Sequence, residues 1–441
     1  MNNFLDLSVR RFVAVLIVLF LFILIVDAAT LQLQMYLFDG YVLTGNVIFK
    51  FAILVIAVLG SLIYMRRLKF KGLPILIWLL CLGYLLADVP HLISAHAMTL
   101  VDVLQSYNAY YALLLIGPML LAFRGAVSER VAISCIVIVL SVCAILGMAQ
   151  YLTGNPILFT ESVDGAFKIN SWSFFDQVRA FALFSSPMNF GLFCAFCGAL
   201  GVALWKRARV KGIFLFVLSA LACYCTLTRL SYLVFFCACS YALLLTFGKK
   251  PRRGLWQPVL YFLLGVSTIV VGLLSFTAAE SNLGDTGSLI QRVSQWGLYS
   301  GWILQANATD KAFGLGIVQN EKLSADLPAP IDSAPLALVL HIGFLGLALF
   351  GVLLTQMWLY LRRQALETGQ PLVIAAASFW ATFGCAGIFN IVFSTFGAVF
   401  ALAILCSTDG RIEPLQKKRG NVGTAKLKPL RLELARALND A

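Results

Sequence analysis

Apolar runs long enough to cross a bilayer recur from end to end of this 441-residue chain, and they leave few folds open to it. A transmembrane helix needs roughly 17–25 predominantly apolar residues. The chain offers such runs near 11–28, 45–64, 73–89, 107–123, 131–150, 183–204, 212–227, 230–248, 257–278, 334–360, 371–389 and 391–407. Only 12% of its residues are charged and 61% are hydrophobic, whereas about a quarter of a soluble domain is charged. Lipid must therefore be part of the solvent, and in lipid every backbone polar group has to be satisfied internally. The expectation is an all-α polytopic membrane protein of about twelve transmembrane helices. The first run follows Arg10 and Arg11, is too long for the core of a cleaved leader and lacks a small-residue cleavage site, so it reads as a retained helix.

The basic residues alternate by loop. Of the 33 lysines and arginines, 26 fall on one side of this arrangement, in clusters such as Arg66–Lys71, Lys206–Lys211, Lys249–Arg253, Arg362–Arg363 and the tail after Asp409. Lys50, Lys168, Arg179, Arg229, Arg292, Lys311 and Lys322 fall on the other. Cytoplasmic loops carry such an excess, so both termini are expected in the cytoplasm. The net charge of +13 is then a topology signal and an attraction to anionic lipid heads, not a nucleic-acid footprint. Residues 1–407 read as the membrane domain, with outward loops at about 151–182 and 279–333. Residues 408–441 read as a basic cytoplasmic tail whose end, Leu430–Leu438, is either a surface helix or disordered.

Eleven cysteines lie in or beside the apolar runs. Buried cysteine behaves as a small hydrophobe, and no histidine or carboxylate joins the pairs Cys194/Cys197, Cys223/Cys225 and Cys237/Cys239, so no disulfide, metal or cofactor is expected. His91 and His96 read as members of a solvated loop. The two halves lack matched Gly- or Pro-broken helices, which argues against a transporter of inverted repeats.

Long loops without regular structure are usually functional or disordered, and the two outward ones are rich in aromatics, among them Trp172, Trp296 and Trp302. Aromatic faces suit sugar rings, and belt anchors at the interface are the commoner role. Three arginines stand outward against the charge bias: Arg179 before the sixth run, Arg229 between the seventh and eighth, and Arg292 at the start of an amphipathic segment, Leu289–Leu304. A charge near bilayer depth needs a compensating partner. A guanidinium fork matches phosphate oxygens in pairs, so three forks at the outer interface would make a diphosphate site. Pairing of each arginine with a loop acid is the structural alternative.

Four segments extend this reading. Arg179–Gly191 reads RAFALFSSPMNFG, Thr226–Arg229 reads TLTR, Arg292 and Trp296 precede Gly314–Gly316 (GLG), and Asp332–Gly346 reads DSAPLALVLHIGFLG. In order and in outward placement they resemble the bacterial O-antigen ligase and polymerase superfamily, over roughly residues 179–350. That family often has glycine three residues after the first arginine, where this chain has Ala182. The resemblance implies a GT-C-like helical fold with a large, partly helical periplasmic loop. It also implies transfer of a glycan from a polyprenyl-diphosphate carrier on the periplasmic face, independent of metal. Ligases of the family carry histidine at the position of Asp332, so the aspartate favours a polymerase of surface polysaccharide repeat units over a ligase acting on lipid A core or protein.

On this reading Arg179, Arg229 and Arg292 bind phosphate, Trp296 contacts glycan, and Asp332 serves as general base beside the catalytic Arg292. Asp332 or Ser333 has a second reading as a cap of the following helix, with Pro335 in its first turn. Expected partners are the polyprenyl-diphosphate-linked glycan, the bilayer and a chain-length regulator, with no nucleic acid. The rival of another class is a lipid-linked oligosaccharide flippase, which needs polar residues along a central path. A non-enzymatic export scaffold is a further rival.

Overall fold

The computed structural model describes residues 18, 80–81, 83–84, 124–155, 157, 173–174, 177–184, 186–248, 287–314, 333–389 and 393–407. Over these residues the chain is helical apart from one small hairpin. Helix α1 spans Glu129–Thr153. Strands β1 (Ser173–Phe174) and β2 (Gln177–Val178) pair antiparallel, with Ser173 opposite Val178. Then follow α2 (Pro187–Leu204), α3 (Arg209–Cys225) and α4 (Arg229–Phe247). Helices α5 (Gly287–Gln305) and α6 (Ala308–Phe313) precede α7 (Ala334–Thr368). The last are α8 (Pro371–Ala381), α9 (Phe383–Phe389) and α10 (Phe393–Cys406).

Four of the described helices, α1, α2, α4 and α7, are long and apolar enough to cross a membrane. The chain is thus a multi-pass membrane protein with four candidate spans among its described residues, and the expectation of about twelve in a GT-C-like arrangement is corrected. The difference is one of length. An apolar run marks burial, in lipid or in protein, without distinguishing the two. The run at 212–227 becomes α3, a helix of 17 residues. The run at 371–389 breaks after 11 residues, where the Thr382 hydroxyl donates back to the Phe379 carbonyl (2.6 Å). The run at 391–407 yields 14 helical residues. The expected spans at 11–28, 45–64, 73–89, 107–123 and 257–278 lie outside the described residues, apart from isolated positions in the first and third.

Local chemistry sets the helix ends. Ser186 caps α2 by accepting from the Asn189 amide (3.1 Å), with Pro187 in the first turn. Gly154 and Gly369 end α1 and α7 in the left-handed conformation. Ser333 stands at the N-cap of α7 without a side-chain capping bond, while Pro335 does occupy the first turn.

Helix α2 is the hub, buried over nearly its whole length and packed against α3, α4 and α8. Small residues make that possible, as they do in lipid, where packing rather than the hydrophobic effect draws helices together. A Cβ on Gly201 would lie 2.8 Å from the Gly212 carbonyl oxygen of α3, and one on Gly198 would lie 2.5 Å from the Phe235 ring of α4. The hub also carries Cys194 and Cys197 into the same apolar core as Cys143, Cys223 and Cys239. Phe379 of α8 stacks on Phe396 of α10 at 4.0 Å between centroids, and the Trp380 indole donates to the Phe396 carbonyl (3.0 Å).

Basic residues gather at one end of this bundle. Arg124 donates to Gln364 of α7 (2.6 Å) and to Ser407 (3.1 Å). Glu129 accepts from the Leu372 amide at the start of α8 (3.0 Å) and faces Arg207 at 3.7 Å. Lys206 donates to the Thr246 carbonyl near the end of α4. These bonds bring the ends of α2, α4, α7 and α10 to the starts of α1 and α8.

Candidate functional site

The four sequence segments that carry the resemblance pack as two pairs. The first pair joins the segment after Arg179 to the turn before Arg229. The Ala180 amide donates to the Cys225 carbonyl at the end of α3 (3.0 Å), which sets half-buried Arg179 beside the Thr226–Arg229 turn. Arg229 is the first residue of α4 and is exposed. Threonines knit the turn: Thr226 donates to the Cys223 carbonyl (2.7 Å) and Thr228 to the Thr226 carbonyl (3.0 Å). Gly191, the last residue of the first motif, lies where any side chain would collide with Ser231 of α4. The glycine thus has a packing reason, the close approach of α2 to the start of α4.

Each half of this pair holds a non-glycine residue in the left-handed region, Ala182 at φ 50° and Leu227 at φ 48°. Such conformations persist only when neighbours over-determine them. At Ala182 the neighbour is Gln150 of α1, which is fully buried. Its Oε1 accepts from the amides of Phe181 (3.1 Å) and Ala182 (2.8 Å), and its Nε2 reaches the Ala182 carbonyl at 3.4 Å. Gln150 had no place in the sequence reading. A polar residue near the end of an otherwise apolar run was its one visible signal.

The second pair joins the glycine after α6 to α7. Helix α7 is broken at Gly343, which sits at φ 68° and ψ −177°, a conformation essentially restricted to glycine. Gly314, at φ 95°, packs backbone to backbone against the break: a Cβ there would lie 2.5 Å from the His341 carbonyl carbon and 2.7 Å from the Gly343 nitrogen. The Ile342 carbonyl, freed by the break, accepts from the Tyr84 hydroxyl (2.5 Å), and Tyr84 stacks on Phe313 with centroids 6.5 Å apart. His341 is buried beside the break. Helix α5 lies on the same part of α7, with Tyr299 and Ile303 packed on Val339 and Leu340. Trp296 is half-buried on that helix, and position 292 shares its stripe by helical spacing.

A backbone bond therefore joins the segment that carries Arg179 to the turn that precedes Arg229, whereas Arg292 and Trp296 lie on the helix packed against α7. Asp332 lies outside the described residues, as do His91, His96 and Trp172. Both pairs sit far from the basic end. At 1.5 Å per residue, Gln150 is about 30 Å along α1 from Glu129, and Gly343 about 28 Å along α7 from Arg362. That is one hydrocarbon thickness. No family model matches the chain, and no curated protein is significantly similar to it.

Proposed function

We propose that this chain is a bacterial inner-membrane glycosyltransferase that polymerises polyprenyl-diphosphate-linked repeat units into a surface polysaccharide, with its basic end in the cytoplasm and its arginine turn at the periplasmic interface. The observation that carries the reading is the Ala180–Cys225 hydrogen bond between two segments that each hold a left-handed non-glycine residue. Strain maintained at a bilayer boundary, beside two arginines, suits a site organised for an anion. The left-handed Ala182 also gives a physical reason for glycine at that position in the family the chain resembles.

In the proposed reaction an acceptor hydroxyl attacks the anomeric carbon of the donor. The C–O bond to the diphosphate breaks and its electron pair leaves with the phosphate. Arg179 and Arg229 neutralise the charge that builds there. Asp332 takes the hydroxyl proton. Arg292 binds phosphate on the donor or acceptor, and Trp296 contacts sugar. In-cell polymer length tests the reading: Arg229→Ala, with membrane insertion confirmed, is expected to abolish the ladder of chain lengths on a gel, and a normal ladder refutes it.

The break in α7 favours a second reading, a lipid-linked oligosaccharide flippase, because discontinuous helices are common at transporter substrate sites. Cells lacking the protein discriminate the two. Precursor trapped on the cytoplasmic leaflet supports the flippase, and flipped single repeat units support the polymerase.

A further inference from the structure

Arg362 lies at the basic end of α7 and is only 8% exposed. Its guanidinium carbon sits 5.6 Å from the ring centroid of Trp358, one helical turn back. The Nε and Nη2 atoms of Arg362 and the Nε1 of Trp358 are all sealed from solvent and find no hydrogen-bond partner among the described residues. Nε–H and Nη2–H project side by side from one edge of the guanidinium plane, the edge that pairs with two oxygens of one anion. A buried charge is retained only when paired. The described carboxylates at this end of the bundle are already engaged: Glu367 with Arg363 at 2.8 Å, and Glu129 with Leu372 and Arg207. The Gln364 oxygen accepts from Arg124.

Trp358 lies about 22 Å and Arg362 about 28 Å along the helix from the Gly343 break, close to the roughly 30 Å thickness of a hydrocarbon core. We propose that Arg362 and Trp358 form a binding site for a phosphate group at the basic end of the protein. The guanidinium edge grips two phosphate oxygens and the indole N–H donates to a third. Both side chains leave their sealed pose to meet the anion. The phosphate comes from an anionic membrane lipid or from solution. The site stands at the opposite end from the proposed glycosyl transfer and does not depend on it.

Thermal stability of the full chain separates the sources. The purified protein is placed in nanodiscs of phosphatidylcholine with and without phosphatidylglycerol, and separately in detergent with inorganic phosphate or chloride at matched ionic strength. A lipid site predicts stabilisation by phosphatidylglycerol, with apparent affinity roughly tenfold weaker in Arg362→Lys, which keeps the charge and loses the fork. Trp358→Phe, which removes one donor, is expected to weaken it less. A solution site predicts the same ranking with inorganic phosphate in detergent. An equal response of wild type and both variants to both probes overturns the proposal and leaves Arg362 paired within the chain. Because Arg362→Lys and Trp358→Phe are mild, they test the site without depending on a variant that fails to fold.

Discussion

The two ends of the helical bundle are held by different physics. At the basic end, long side chains bridge helices: Arg124 to Gln364 and Ser407, Glu129 to Leu372 and Arg207, and Lys206 to Thr246. At the opposite end the contacts run to or between backbone groups, with the buried Gln150 side chain bonded to the amides of Phe181 and Ala182. Gly314 and Gly343 meet with no side chain between them, and Ala182 and Leu227 are left-handed. Contacts through flexible charged stems tolerate small displacements and are screened by salt. Contacts through backbone tolerate almost none. On the proposed reading, the end that holds the glycan donor benefits from the second kind.

The largest expected effect lies where two backbones touch. Gly343→Ala adds a methyl group into the Ala312 carbonyl and forces a backbone conformation closed to alanine, so the loss should exceed about 3 kcal/mol. Little monodisperse protein should survive detergent extraction. Normal yield and melting temperature would show that the break is not backbone-fixed, and the contrast between the ends would fail. Gln150→Leu comes next. It deprives two buried amides of their acceptor at about 1–3 kcal/mol each. Adding Ala182→Gly to that variant should recover part of the loss, because glycine needs no help to stay left-handed. Absence of any rescue in a thermal-shift cycle would mean that Gln150 does not act through Ala182. Smaller still, Ser186→Ala should cost about 1 kcal/mol and Ser186→Gly a few tenths, through the cap of α2.

Much of the basic end was legible in the chain, and little of the other. Arg124, Lys206, Arg207, Arg362 and Arg363 announce their side through charge alone, a property each residue carries regardless of neighbours. The motif glycines were visible as Gly191, Gly314 and Gly346, but their reason was not, since a close approach is decided by a distant partner: Ser231 for Gly191 and Gly343 for Gly314. Gly343 itself passed for an ordinary residue of a long apolar helix, which hid the break. The span count was misread for a related cause. Apolar content says that a segment is buried, and only tertiary packing says whether α3, α8 and α10 are buried as membrane-length helices.

The smallest effect is the most discriminating of the comparison. Arg207 is half-exposed, with 53% of its side chain accessible, and stands 3.7 Å from Glu129. Pairs of that kind contribute at most about 1 kcal/mol. Glu129→Gln removes the charge while its amide oxygen still accepts from Leu372, so only the electrostatic part is lost. That part includes the favourable placement of a carboxylate in the first turn of α1. The deficit in melting temperature should therefore be small at low ionic strength and smaller at high salt, since ions screen the carboxylate from Arg207 and from the helix terminus alike. The deficit of Gln150→Leu should be the same at both, since no mobile ion reaches a fully buried amide. If both deficits shrink with salt, the two ends share one mechanism. If neither does, the charge of Glu129 acts where mobile ions do not reach, and the basic end is as shielded from solvent as its counterpart.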